Sequence, residues 1–138
     1  MDNYGYEYEG EENEEMPITI RSAKSKGMRL QKYICQQIAD LFGIKFDNQN
    51  DNSLIQSRTC GLSGVDIILR DFIYKRFTFD IECKNQEKIN IKEAIRQAKN
   101  NTKENRNWLL FWKCKEFKKP VVIMDSEIFF EIMKKNIF

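Results

Sequence analysis

The apolar positions of this chain change period along its length, and those changes mark out its elements. Between Met28 and Phe42 the residues Leu30, Ile34, Ile38 and Leu41 recur at three- and four-residue intervals, which predicts an amphipathic helix with one buried face, closed by Gly43. The basic stretch Arg21 to Gly27 ahead of it reads as a flexible lead-in. The polar run Asp47 to Ser53 predicts a loop, Leu54 to Cys60 a short strand before Gly61, and Val65 to Leu69 a second strand. Arg70 to Arg76 reads as the turn of a hairpin leading into the strand Phe77 to Lys84. Helical spacing returns from Ile89 to Asn101, where Ile91, Ala94, Ile95 and Ala98 share a face whose small alanines suit close packing on a sheet. Trp108 to Trp112 and Pro120 to Met124 predict two further strands, and Ser126 to Lys135 a closing helix. The densely apolar Leu109-Leu110-Phe111 predicts an internal strand covered on both sides.

The strand Phe77 to Lys84 carries the candidate chemistry. Alternation puts Phe79, Ile81 and Cys83 on one face, expected to point inward, and Thr78, Asp80, Glu82 and Lys84 on the other. With a turn centred near Tyr74, antiparallel pairing sets Asp66 across from Glu82, at the roughly 4.5–5.5 Å of directly opposed residues. Two carboxylates that close raise each other's pKa unless a cation intervenes. A hard ion such as Mg²⁺ takes oxygen ligands and keeps several waters, one of which is the expected nucleophile. Lys84 is placed to orient that water or to balance phosphate charge. The carbonyl of Cys83 is available as a further ligand, and Asp80, one strand pair further back, reads as a supporting or solvated residue.

Gly64-Val65-Asp66 followed by Glu82-Cys83-Lys84 resembles the signature of the PD-(D/E)xK nuclease superfamily, with Val65 where the motif has proline. Within that superfamily, Gly61 to Asp66 and the basic first helix look most like Holliday junction resolvases and phage-type relatives. The resemblance implies a restriction-endonuclease-like αβββαβ core, a mixed central sheet flanked by helices. It implies Asp66 and Glu82 as ligands of Mg²⁺ or Mn²⁺, Lys84 as the water-positioning residue, and Gln97 as an accessory glutamine on the helix after the motif strand. The activity it implies is hydrolysis of DNA phosphodiesters, favouring branched junctions met in recombination. Resolvase-type members usually place a glutamate on the first helix, whereas no acid occurs here between Glu15 and Asp40, and Gln31 is the nearest substitute.

Length and charge narrow the picture. At 138 residues with 41% hydrophobic content the chain suits one domain, expected over 18–138. Seven acids and no Lys or Arg lie within residues 1–17, leaving 23 basic against 14 acidic residues in the remainder. The basic body makes a polyanion a sensible partner. Arg21, Lys24, Lys26 and Arg29, around the start of the first helix, are expected contacts to the nucleic-acid backbone. Arg58 offers a planar fork for a phosphate, and Ser57 and Ser63 are hydroxyl candidates. The acidic tail, with Tyr4, Tyr6 and Tyr8 between its acids, is expected to be disordered and chiefly solubilising. Trp108, Phe111 and Trp112 are core residues before they are base-stacking ones.

Four scattered cysteines and no histidine argue against a zinc site of usual spacing, against implied disulfides and against a histidine base. The absence of a signal-like start or a long apolar run leads to the expectation of a soluble cytoplasmic or host-intracellular protein, not a secreted or membrane one. Cutting two strands would call for a homodimer. Competing readings are a non-catalytic DNA-binding module of the same fold, a restriction-type or RNA-directed nuclease, and an inhibitor whose acidic tail mimics nucleic acid.

Overall fold

Helix α1 spans Ile20–Phe42, beginning about two turns before Met28, so the basic stretch Arg21 to Gly27 is helical rather than a flexible lead-in. Gly27 lies inside it, a position that costs about 1 kcal/mol relative to alanine. The burial of Leu30, Ile34, Cys35, Ile38 and Ala39 along one face offsets that cost. The helix stops where expected. Gly43 has φ +67°, and the N–H groups of Gly43 and Ile44 donate to the carbonyls of Asp40 and Ala39, the two bonds of a Schellman end that left-handed glycine permits.

The computed structural model describes residues 20–47, 52–58 and 64–138. The expectations for the acidic tail, for Gly61 to Ser63, for Cys60 and for the centre of the polar loop lie outside the described residues. After α1 come β1 (Ile55–Ser57), β2 (Ile67–Leu69), α2 (Asp71–Arg76), β3 (Phe79–Asn85), α3 (Ile91–Asn101), β4 (Asn107–Lys113), β5 (Val121–Ile123) and α4 (Ser126–Ile137). The protein is thus mixed α/β. A three-stranded mixed sheet, ordered β3-β4-β5, pairs β3 with β4 in parallel and β4 with β5 antiparallel. A second, two-stranded antiparallel ladder joins β1 and β2.

The expected hairpin between the second strand and the motif strand is not formed. Residues 71–76 make the short helix α2, and among the described residues β2 has a ladder with β1 alone. Six residues of helix re-aim the chain instead of folding it straight back, with Asp71 at φ +53° where the turn begins.

Strand β4 is internal and covered on both faces, as its composition predicts. Leu109 joins the cluster formed by α1, β1, β2 and β3, while Trp108 and Leu110 join Ala94 and Ala98 of α3. Full burial of side chains such as Leu30, Ile73, Ile81 and Leu110 stabilises the fold by about 1.5–3 kcal/mol each relative to exposure. Helix α4 buries none of its residues, and Val121 and Val122 of β5 are exposed. An apolar groove lined in part by Tyr33, Leu41, Phe77, Phe111, Val122 and Ile132 runs between α1, β5 and α4. Among the described residues no helix is long and apolar enough to cross a membrane.

Candidate active site

The parallel register of β3 and β4 sorts the motif strand onto two covered faces. Ile81 lies beside Leu109 and Cys83 beside Phe111, toward α1, whereas Asp80 lies beside Trp108 and Glu82 beside Leu110, toward α3. The acidic face is therefore not simply open opposite a core. Glu82 is 4% and Asp80 7% exposed, because Ala94 and Ala98 let α3 approach the sheet closely over them.

Asp66 arrives from the other ladder. Its N–H donates to the Ile81 carbonyl at 3.0 Å, and its own carbonyl accepts from the Arg58 N–H at 2.7 Å. In a regular antiparallel ladder hydrogen-bonded residues exchange both bonds with one partner. Asp66 divides them between the end of β1 and β3, and its carboxylate Oδ2 then accepts the Cys83 N–H at 2.7 Å. In place of the expected cross-strand pairing, this contact brings Asp66 next to Glu82.

Both acids line one open cleft of about 340 Å³, together with Gly64, Glu93, Gln97, Asn100 and Asn101. Positions 93, 97, 100 and 101 follow i, i+4, i+7 and i+8, a stripe of α3 adjacent to its alanine face. Asn101 Nδ2 lies 3.4 Å from Glu82 Oε1, and Lys84 Nζ lies 3.8 Å from Glu82 Oε2, as their shared strand parity requires. Glu93 is held at the rim in an ion pair with Arg96.

Burial first, and the Asp66 charge second, push the Glu82 carboxyl up to about 7, against the opposing pull of Lys84 and Asn101. Asp66 is also raised by burial, an effect reduced by the Cys83 N–H and by the charges of Lys84 and Arg58. Two desolvated acids thus meet in a cleft where the charges of Lys84 and Arg58 do not offset their burial, the condition that a bound cation relieves. Among the described residues no group of three or more His, Cys, Asp or Glu side chains comes together around a metal position. The donors in the cleft are carboxylates and amides, an all-oxygen set that fits Mg²⁺ or Mn²⁺ better than a soft ion. The Cys83 thiol, held well above its ordinary pKa chiefly by burial, has no thiolate to offer.

The proposed nucleic-acid contacts are dispersed. Arg21, Lys24, Lys26 and Arg29 fall within the first three turns of α1 rather than before it, with Lys24 exposed and Lys26 and Arg29 half-buried. The Lys26 carbonyl accepts from Asn85 Nδ2 at 2.8 Å, tying α1 to the end of β3. Ser57 is buried in β1. Arg58 donates through Nε to the Val65 carbonyl, and a Cβ at Gly64 would lie 3.2 Å from its Nη2. Its guanidinium is a clasp on the chain before Asp66. Trp108 Nε1 lies 3.3 Å from Asp125 Oδ2, and Trp112 Nε1 donates to the Gln86 carbonyl at 2.9 Å.

Sequence reasoning missed Asn100 and Asn101 as cleft residues, although their helical spacing from Glu93 and Gln97 is a usable signal. It also missed Arg106. With its side chain only 5% exposed, Arg106 bonds Asp80 Oδ1 at 2.8 Å and the carbonyls of Tyr74, Phe77 and Phe79, and stacks on the Tyr74 ring. Asp80 accepts in addition from the Lys103 N–H, so it is a buried structural anion rather than a solvated one. No protein-family model, no curated protein and no solved structure matches the chain.

Proposed function

We propose that the protein is a metal-dependent endonuclease of the PD-(D/E)xK kind, built on a restriction-endonuclease-like core and hydrolysing DNA phosphodiesters. The convergence of Asp66 and Glu82 on one cleft, with Lys84 3.8 Å from Glu82, carries this reading. Asp66 and Glu82 would hold the Mg²⁺ or Mn²⁺ ion, with the Cys83 carbonyl as a further oxygen. When bound, such an ion polarises a phosphoryl oxygen and acidifies a coordinated water.

The remaining work falls to side chains already in place. Lys84 supplies positive charge beside the acids and orients the attacking water, a preorganised contribution needing no rearrangement as charge develops. Asn101 restrains Glu82, and Gln97 faces the same space from α3 as an accessory polar group. Lys24 and its basic neighbours on α1 contact the nucleic-acid backbone, which attracts them whatever the base sequence. Branched DNA is the favoured substrate. A homodimer belongs to the same reading, since two strands require two centres, and the apolar groove along α1, β5 and α4 offers a surface for it.

The second reading is a DNA-binding module that keeps this fold without catalysis. It is favoured by the cleft's carboxylates: among the described residues only Asp66 and Glu82 converge there, the third, Glu93, being held in an ion pair with Arg96. Incubating the protein with four-way junction, duplex and single-stranded DNA in Mg²⁺, Mn²⁺ or EDTA separates the two. Cleavage of the junction that EDTA abolishes is the expected result. Tight binding without cleavage in either metal would favour the module.

A further inference from the structure

Gln31 occupies the first-helix region where a resolvase-like chain would carry a glutamate, yet its surroundings are those of a donor. It is 5% exposed. With its amide nitrogen turned toward β1 and β2, it donates to the Arg58 carbonyl at 2.8 Å and to the Asp66 carbonyl at 3.2 Å. The Asp66 carbonyl also accepts from the Arg58 N–H, so both of its lone pairs are occupied. Both of these described partners call for a donor at position 31.

We propose that Gln31 is a positioning residue for Asp66: it pins the Asp66 carbonyl toward β1 and so aims the carboxylate at Cys83 N–H and the cleft. The inference rests on the nuclease reading for its consequence in metal binding, but its geometry stands apart from that reading. Division of the Asp66 backbone bonds between two ladders leaves the residue outside either regular pairing. A buried side-chain amide that grips both Arg58 and Asp66 holds that division in place. A carboxylate at position 31 would set lone pairs against two carbonyls, and a buried polar group so confronted loses its hydrogen bonds and gains repulsion. Glutamine is therefore not a weakened glutamate here. It performs the opposite task, donating to the backbone of the metal-holding residue.

The test uses the full-length protein and two substitutions, Gln31→Met, close in volume and without donors, and Gln31→Glu. Mn²⁺ affinity is measured by calorimetry, and exchange of the Cys83 amide by NMR on metal-free, ¹⁵N-labelled protein. Gln31→Met is expected to lower Mn²⁺ affinity by about 10- to 100-fold, the range for partners that orient ligands, and to speed Cys83 amide exchange by roughly tenfold or more. Gln31→Glu is expected to lose at least as much. Tighter Mn²⁺ binding by Gln31→Glu would overturn the proposal, because it would make position 31 a ligand site. Unchanged Cys83 exchange in Gln31→Met would overturn it as well, and decides alone if Gln31→Glu does not fold. If the unmodified protein neither binds Mn²⁺ nor cuts DNA, the nuclease reading fails, while the exchange experiment still decides the role of Gln31.

Discussion

Cys83 donates its backbone N–H to the Asp66 carboxylate at 2.7 Å, so the residue between the motif glutamate and lysine holds the distant aspartate in place. This bond makes Asp66 the point at which the β1–β2 ladder enters the cleft. Asp66→Ala is expected to remove metal-dependent cleavage by at least about 100-fold, beyond the range seen for outer partners of a metal site. Calorimetry with Mn²⁺ alongside a cleavage assay measures both effects. Cleavage retained at the unmodified rate would remove Asp66 from the site.

Glu82 predicts an unusual pH dependence of stability. Its pKa in the folded protein is raised to about 7 from an ordinary 4.5, so the folded state holds a proton that the unfolded state gives up. The stabilising contribution is full below the ordinary value and is lost as pH rises through about 7. Urea titrations of the metal-free protein should therefore show less stability at pH 8 than at pH 5, by on the order of 3 kcal/mol from this group. Glu82→Gln should flatten that slope. A slope of equal size in Glu82→Gln would assign it elsewhere.

Lys84 lowers the pKa of both acids without being one of their backbone anchors. Lys84→Ala should leave the fold and most of the Mn²⁺ affinity intact while cutting cleavage at pH 7 by about 100-fold. The pH at which cleavage is half-maximal should move upward, because Glu82 then ionises later. A pH profile that keeps its midpoint would separate Lys84 from Glu82.

Arg106→Ala leaves Asp80 buried without its cation and frees three carbonyls at once. The expected loss is about 3–5 kcal/mol of stability, the range for breaking a buried ion pair from one side. Asp80→Leu combined with Arg106→Met should recover part of it, which chemical denaturation of the single and double variants would show. Additive losses would mean that the pair is not coupled.

Gly64 has φ +105°, and a Cβ there would meet Arg58 Nη2 at 3.2 Å. Gly64→Ala should cost about 1–3 kcal/mol in backbone strain and disturb the chain just ahead of Asp66. Differential scanning calorimetry reads the first effect and Mn²⁺ affinity the second.

The helical period in α3 and the doubly apolar composition of β4 were legible because burial acts on side chains at a fixed spacing. The end of α1 was legible too, since Gly43 signals a left-handed residue. Its start was not. Nothing in Arg21 to Gly27 carries an apolar stripe, and the helix there is continued by the turns that follow it. The pairing of the two acids was legible in outcome but not in route. The pattern predicts a turn over Arg70 to Arg76, whereas residues 71–76 form α2, and the contact depends on a split backbone at Asp66 that no alternation pattern encodes. Arg106 escaped notice for a related reason: its four acceptors are mostly carbonyls, which every sequence contains. Gln31 drew attention for the charge it lacks, whereas its setting favours the donor it provides.

The cleft's polar wall from Glu82 to Asn101 belongs to one uninterrupted strand and helix, while Gly64 and Asp66 come from a separate segment. The larger part can therefore form through near-neighbour contacts early in folding, and only one remote docking event is needed to finish it. If that segment peels away in a partial opening, the carboxylate pair is broken while the β3–α3–β4 body stays intact, which gives the molecule a dormant form reached without global unfolding.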